Sequence, residues 1–490
     1  MRGSSLLLLA LLATGCDGAT DTDDTGDDDT GDTDDTSVED TDTDDTGAEL
    51  PSSYTFTGRT GTSSVANEGQ IFRHLLIADM KAHLGGLTGR LNGGYFPTEG
   101  EVAAELDFYF SFDSETSGEV EHLYVSDPAP TQSTYGEVAS GKNLVAKIAG
   151  NDPAGEHEDW QTAFVGWEHD GVTSPESLVR HWFAQVDAAA IAWSNGDIPL
   201  GPDGAPVSDV FVTADGLNLR ELIQKFLLGS VAFSQGTDDY LDDDVTGSGL
   251  LSGHTAVEEG KAYTALEHGW DEGFGYFGAG RDYCSGSDAI IASPGYADTY
   301  AADGHIDLLT EVCWGHSTNA AKRDAGANSA APTDFTAEAW AGFVGGRALL
   351  AATSTDLTPA QLAELQAFRS QAVSAWEGAI AGSVVHYVNG VLVQMGTFGT
   401  ADYHFADHAK EWSEMKGFAL SFQFNPRSPL TDEEFATLHD LLGTAPVLPT
   451  AGEDAIAAYR SDLLAARALL GAAYGFDAAN LGGDDGTGGW

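Results

Sequence analysis

The sequence predicts an all-α fold, one or two helical bundles with at most one small β-hairpin. Three observations carry this expectation. Apolar residues recur at helical spacing in long segments, as at Leu219, Leu222, Ile223, Phe226, Leu227 and Val231. Helix-start signatures precede such segments, at Ser174-Pro175-Glu176 and at Thr358-Pro359. Strand signals are sparse, and the one clear candidate is 383–395, SVVHYVNGVLVQM, where Asn389-Gly390 suits a tight hairpin turn.

In chain order, residues 1–15 have the architecture of a secretory signal: a positive charge at Arg2, an apolar run from Leu6 to Ala13, and small residues before Cys16. The segment ending at Cys16 resembles a bacterial lipoprotein signal, in which the cysteine becomes the lipidated first residue of the mature protein. Such a chain is held to a membrane by lipid alone. A signal cut without lipidation is the alternative. Residues 16–50 repeat Asp, Thr and Gly without an aromatic residue, which cannot bury enough surface to order and whose like charges favour an extended tether. No stretch of it follows the DxDxDG pattern with a Glu at the twelfth place, so ordered calcium loops are not expected.

The helical body is expected over 51–480. Its first helix runs through Gln70, Leu75 and Met80, until Gly85, Gly86, Gly89, Gly93 and Gly94 interrupt. A second opens at Pro97-Thr98-Glu99 and runs to about Phe110, and the prolines at 128 and 130 mark a loop. Further helices are expected at 138–148, 157–168, 174–195 and 218–235, with Lys225 on the last exposed to solvent. Residues 261–278 form another, followed by an irregular stretch around 283–300 and helices at 305–323, 333–352, 358–387, 401–423, 431–442 and 451–474. The final residues 481–490, LGGDDGTGGW, read as a disordered tail.

Charge is the extreme feature. There are 77 Asp and Glu against 21 Lys and Arg, net −56. Sixteen acids lie between Asp17 and Glu49 and one base, Arg2, precedes residue 51, leaving 61 acids against 20 bases, or −41, in the body. A surface of that sign repels phosphate backbones and anionic headgroups, which argues against nucleic acid as a partner and leaves the lipid anchor as the route to a membrane.

Two constellations could carry chemistry. In KAYTALEHGWDEGFGYFG (261–278), His268, Asp271 and Glu272 fall within an arc of about 100° on a helix, opposite Leu266 and Trp270. They form either a metal-ligating cluster or a solvated acidic face. In the second, His404, His408 and Glu411 lie within roughly 60° of one another, in line with Met415, Phe418 and Phe422. These are either metal ligands or core histidines hydrogen-bonded by protein. If the two helices pack together, the groups converge into one His/carboxylate site whose nitrogen and oxygen donors suit a transition metal, iron or zinc first. There is no HExxH, no GxSxG and no phosphate-cradling loop. Cys284 and Cys313 remain as an even pair in an exported chain, expected as a disulfide worth about 2–4 kcal/mol, with two reduced thiols as the alternative.

The blocks YTFTGRTGTSSVANEGQIFR, GLNLRELIQKFLLGSVAFSQ, YTALEHGWDEGFGYFG, AAKRDAG and HAKEWSEMKGFAL resemble the successive blocks of the domain-of-unknown-function 4856 family of bacterial envelope lipoproteins, over nearly all of residues 54–447. That family is similar in general style to imelysin-like helical envelope proteins, whose signature is GxHxxE. Here Glu267-His268 stands in place of Gly-x-His, and the acid three residues after His268 is Asp271. The resemblance implies a helical, lipid-anchored envelope protein and assigns it no activity. The expected function is binding of a metal ion or ligand. The alternatives are a metal-dependent hydrolase, with Glu272 or Glu411 as general base on a metal-bound water, and a structural or adhesion module without a small-molecule site.

Overall fold

Helices begin where the sequence supplies a cap. The hydroxyls of Ser174, Thr264, Thr358 and Thr431 accept the amides of Ser177, Glu267, Gln361 and Glu434, and Pro175 and Pro359 occupy the first turn of their helices. The computed structural model describes residues 50–293, 297 and 303–490. The signal, Cys16 and the acidic tether lie outside the described residues.

Eleven longer helices organise the described residues: α1 Glu68–Asn92, α2 Glu101–Phe110, α3 Pro175–Ser194, α4 Leu219–Leu227, α5 Ala265–Phe277, α6 Gly315–Ala325, α7 Phe335–Ala352, α8 Pro359–Gly396, α9 Phe405–Ala419, α10 Asp432–Leu442 and α11 Glu453–Ala473. Among the described residues there is no β-strand, only isolated bridges such as Glu121 with Thr134. None of these helices is long and apolar enough to cross a membrane. The fold is all-α.

The axis is α8, whose 38 residues span roughly 57 Å at 1.5 Å per residue. It packs against α7, α9, α6 and α11, while α1 lies on α4 and α5. Residues 50–490 cluster as one unit. Its centre holds Trp182, Trp270, Trp376 and Trp412, all under 2% exposed. Beyond Leu227 the chain of α4 widens into two π-helical stretches, Leu228–Phe233 and Gln235–Tyr240, through the middle of this core. Such widened turns are rare and gather at functional sites.

Several expectations are corrected. The hairpin at 383–395 is the last third of α8. Asn389 does not turn the chain: its amide donates to the carbonyl of Leu481 (3.0 Å) and accepts from Arg467 (2.6 Å). Gly390 is required by close approach, since a β-carbon there would lie 2.5 Å from Glu411 Oε2. The glycines at 85, 86 and 89 do not stop α1, which continues to Asn92. Helices at 138–148 and 157–168 are absent, because the chain reverses at Gly141 (φ 65°) and Gly166 (φ 92°), conformations a right-handed helix does not contain. The apolar spacing in the second segment instead comes from loop anchors: Trp160 on Phe424, Phe164 on Phe226 and Trp167 on Trp182. The helix expected at 305–323 starts only at Gly315. Finally, 481–490 is packed rather than loose: Trp490 is 7% exposed, and its indole donates to the carbonyl of Arg323 (2.9 Å).

Candidate functional site

On α5, Asp271 is wholly buried, so the acidic arc of this helix is not a solvated face. Its Oδ1 accepts from Arg347 Nε of α7 (2.9 Å) and from the Tyr54 hydroxyl (2.9 Å), and Oδ2 from the amide of Ala66 (3.3 Å). Arg347, also fully buried, donates further to Glu267 (3.2 Å) and Ser64 (2.6 Å). This cluster fastens residues 54–66 to α5 and α7. Glu272 accepts from Gln70 of α1 (2.8 Å). His268 is partly exposed against Tyr263, with its nitrogens 3.7 Å from Glu272 and 3.8 Å from Glu258.

The second constellation is separate from the first. His404 is exposed at the N-cap of α9. His408 is buried against Phe398, its Nδ1 3.2 Å from the Tyr403 hydroxyl, and burial pushes its pKa down to about 4. Glu411 faces Lys410 (3.7 Å) and Gly390, with its pKa raised by burial. Among the described residues, no group of three or more His, Cys, Asp or Glu could hold a metal ion. The expected convergence of His268, Asp271, Glu272, His404, His408 and Glu411 on iron or zinc is therefore corrected: Asp271 and Glu272 are committed to Arg347 and Gln70, and His408 to an aromatic nest. The side chain of Cys284 lies outside the described residues, and so does its pairing with Cys313, which is buried.

Lys225 is also corrected. It is buried between α4 and α9, 3.1 Å from Glu414 and 3.8 Å from Glu221, with its ammonium 5.2 Å from the Phe418 ring. Lys81 and Lys410 close the ends of this ladder at 2.7 and 2.8 Å.

A concave site lies elsewhere, on one face of α8. Residues 369, 370, 373, 374, 377 and 378, spaced by helical turns, floor a cleft of about 570 Å³. Phe335, Tyr474 and Phe476 wall one end. Two guanidinium groups, Arg369 and Arg427, stand at the other. The loop after the π-helical stretches holds both: Arg369 Nη1 donates to the carbonyl of Leu241 (3.0 Å) and to Asp243 (3.4 Å), and Arg427 donates to Asp242 and the carbonyl of Thr237. The Nε atoms of both are enclosed and have no hydrogen-bond partner among the described residues. Between the two ends lies Glu377, 1% exposed, accepting from Tyr474 (2.7 Å), Ser428 (2.5 Å) and Asn425. Burial raises its pKa despite these three donors.

Chemically, this arrangement can hold an acid group at the arginine end and stack a flat ring at the aromatic end, with Glu377 between them. Sequence reasoning missed it. The available signal was an acid, Glu377, set in the apolar run Ala372, Val373, Trp376, Ile380 of α8. Arginines drawn from positions 369 and 427 left no local pattern.

No curated protein and no solved structure matches this chain. The family described as "Domain of unknown function (DUF4856)" matches residues 51–303, which carry α1 to α5 and the Asp271–Tyr54 clamp. This covers just over half of the 490 residues, and the chain belongs to that family.

Proposed function

We propose that this protein is exported, anchored to the cell envelope by lipid on Cys16, and binds a small ligand bearing both an acid group and a flat ring in the α8 cleft. The observation that carries the binding reading is the pair of guanidinium groups, with unpartnered Nε atoms, set opposite three aromatic side chains in a chain otherwise strongly acidic. Each arginine has one carboxylate, Asp243 for Arg369 and Asp242 for Arg427, and an anion joining the two guanidinium groups reduces the repulsion between them. The acidic Asp/Thr/Gly composition of residues 16–50 supports the envelope reading, since like charges along such a sequence favour a spacer between a folded body and a surface.

Calorimetric titration of the full chain with 4-hydroxybenzoate and with indole-3-acetate tests the cleft. At least one binds, and the affinity falls about ten-fold or more in Arg369→Gln and in Arg427→Gln. Heat signals absent for both acids, or unaltered in both variants, would remove this reading. Anchoring is tested by palmitate labelling in the native host, expected for the natural chain and lost in Cys16→Ser.

A second reading, catalysis with Glu377 as proton donor, is favoured by its raised pKa. It requires turnover of a bound acid that Glu377→Gln abolishes while binding persists.

A further inference from the structure

We propose a second anion site, distinct from the α8 cleft, where α6, α8 and α9 meet around Arg323 and where the oxyanion of a phosphate ester or a carboxylate is bound. Arg323 lies in the last turn of α6 and is 7% exposed. Its aliphatic stem rests on α8 at Gly382, where a β-carbon would come within 3.3 Å of Cγ and 3.4 Å of Cδ, so this glycine leaves the room the side chain occupies. Nε and Nη1 are enclosed, and neither has a hydrogen-bond partner among the described residues. A guanidinium sealed in this way without a partner is costly, and cations in protein interiors are ordinarily paired.

The acids nearby are already engaged. Asp324 accepts the amides of Phe335 (2.9 Å) and Thr336 (2.8 Å) at the start of α7. Glu414 lies between Lys225 (3.1 Å) and Lys410 (2.8 Å). Glu411, the other acid whose charge reaches Arg323, faces Lys410 at 3.7 Å, and the remaining groups around Arg323 are positive or neutral and able to donate. Lys322 precedes it and is exposed. Lys410 is 41% exposed with its ammonium 5.9 Å from the Tyr387 ring, and His386 lies edge-on to that same ring at 4.9 Å. The pKa values of Arg323 and His386 are both lowered, by burial first, and for His386 the charge of Arg323 adds to it. A bound oxyanion relieves this repulsion, with the planar guanidinium as a fork and the two ammonium groups as point charges on its rim. In a body with 20 bases against 61 acids, a buried guanidinium with two unpartnered nitrogens is not accounted for by surface solubility.

Thermal unfolding and calorimetry of the full chain test the site, with inorganic phosphate and acetate as probes and sodium chloride at equal ionic strength as reference. A saturable rise in Tm is expected with at least one probe, and the probe that gives it identifies the source as phosphoryl or carboxylate. Affinity falls about ten-fold or more in Arg323→Gln and about three-fold or more in Lys322→Ala, and is unchanged in Arg369→Gln, which separates this site from the cleft. The proposal is overturned if neither anion exceeds chloride, if binding persists undiminished in the Arg323 and Lys322 variants, or if it is lost in Arg369→Gln alone. Should Arg323→Gln fail to fold, the exposed Lys322→Ala decides by itself.

Discussion

Asp271 shows how far a single residue can be read from its neighbours in sequence. Helical spacing places it correctly on one arc with His268 and Glu272, but whether that arc meets water depends on Tyr54 and Arg347, 217 and 76 residues away. The same holds for Lys225, which is polar in the sequence and buried by Glu414 in the structure. Removing one member of a buried ion pair leaves the other uncompensated, at a cost of about 3–5 kcal/mol. Asp271→Ala should therefore lower the urea-unfolding free energy by that order and release the 54–66 segment to hydrogen exchange. A change within about 0.5 kcal/mol would mean Arg347 is satisfied without it.

At the scale of elements, close packing depends on residues with no side chain. A β-carbon at Gly346 of α7 would lie 2.0 Å from the Trp270 ring of α5, so α7 and α5 meet there only because the position is glycine. Gly346→Ala should cost about 1–3 kcal/mol or more, read from the denaturant midpoint. The second π-helical stretch, with the loop at Gly155 that lies against Asp239, has a different sensitivity. Burial first, with neighbouring carboxylates adding, pushes Glu156 up to about 8 and Asp239 up to about 7. Both folded values lie above those of an unfolded chain, so the folded state holds extra protons between about pH 4 and 8. Their contribution to stability is full below that window, declines as pH rises through it, and is gone above it. Amide exchange across 236–249 should accelerate from pH 6 to pH 9 beyond its intrinsic rise, and Asp239→Asn should flatten the change. Because the loop after this stretch holds Arg369 and Arg427, ligand affinity in the cleft should fall over the same range.

For the whole molecule, the last ten residues are part of the core's closure. Trp490 packs on Phe335 and Phe476, both walls of the cleft, and ties to α6 through the Arg323 carbonyl. Trp490→Ala should reduce stability by about 3–5 kcal/mol and weaken binding in the cleft, measurable by thermal unfolding and titration. An unchanged Tm would return 481–490 to the status of a tail. Composition misleads here because Gly, Asp and Thr dominate the segment, while the single large side chain at its end does the packing.

Helical class, the caps at 174, 358 and 431, and the acidic balance were decided by local sequence, because hydrogen bonds within three or four residues and the summed count of charges need no distant partner. Family membership was likewise legible in short blocks such as EHGWDEGFGYFG. Burial of polar groups was not. Whether Asp271, His408, Lys225 or Glu377 faces water, a partner or a cleft was settled only when helices far apart in the chain came into contact, since burial is a property of what covers a residue and not of the residue. The cleft on α8 and the unpartnered guanidinium of Arg323 belong wholly to that tertiary level.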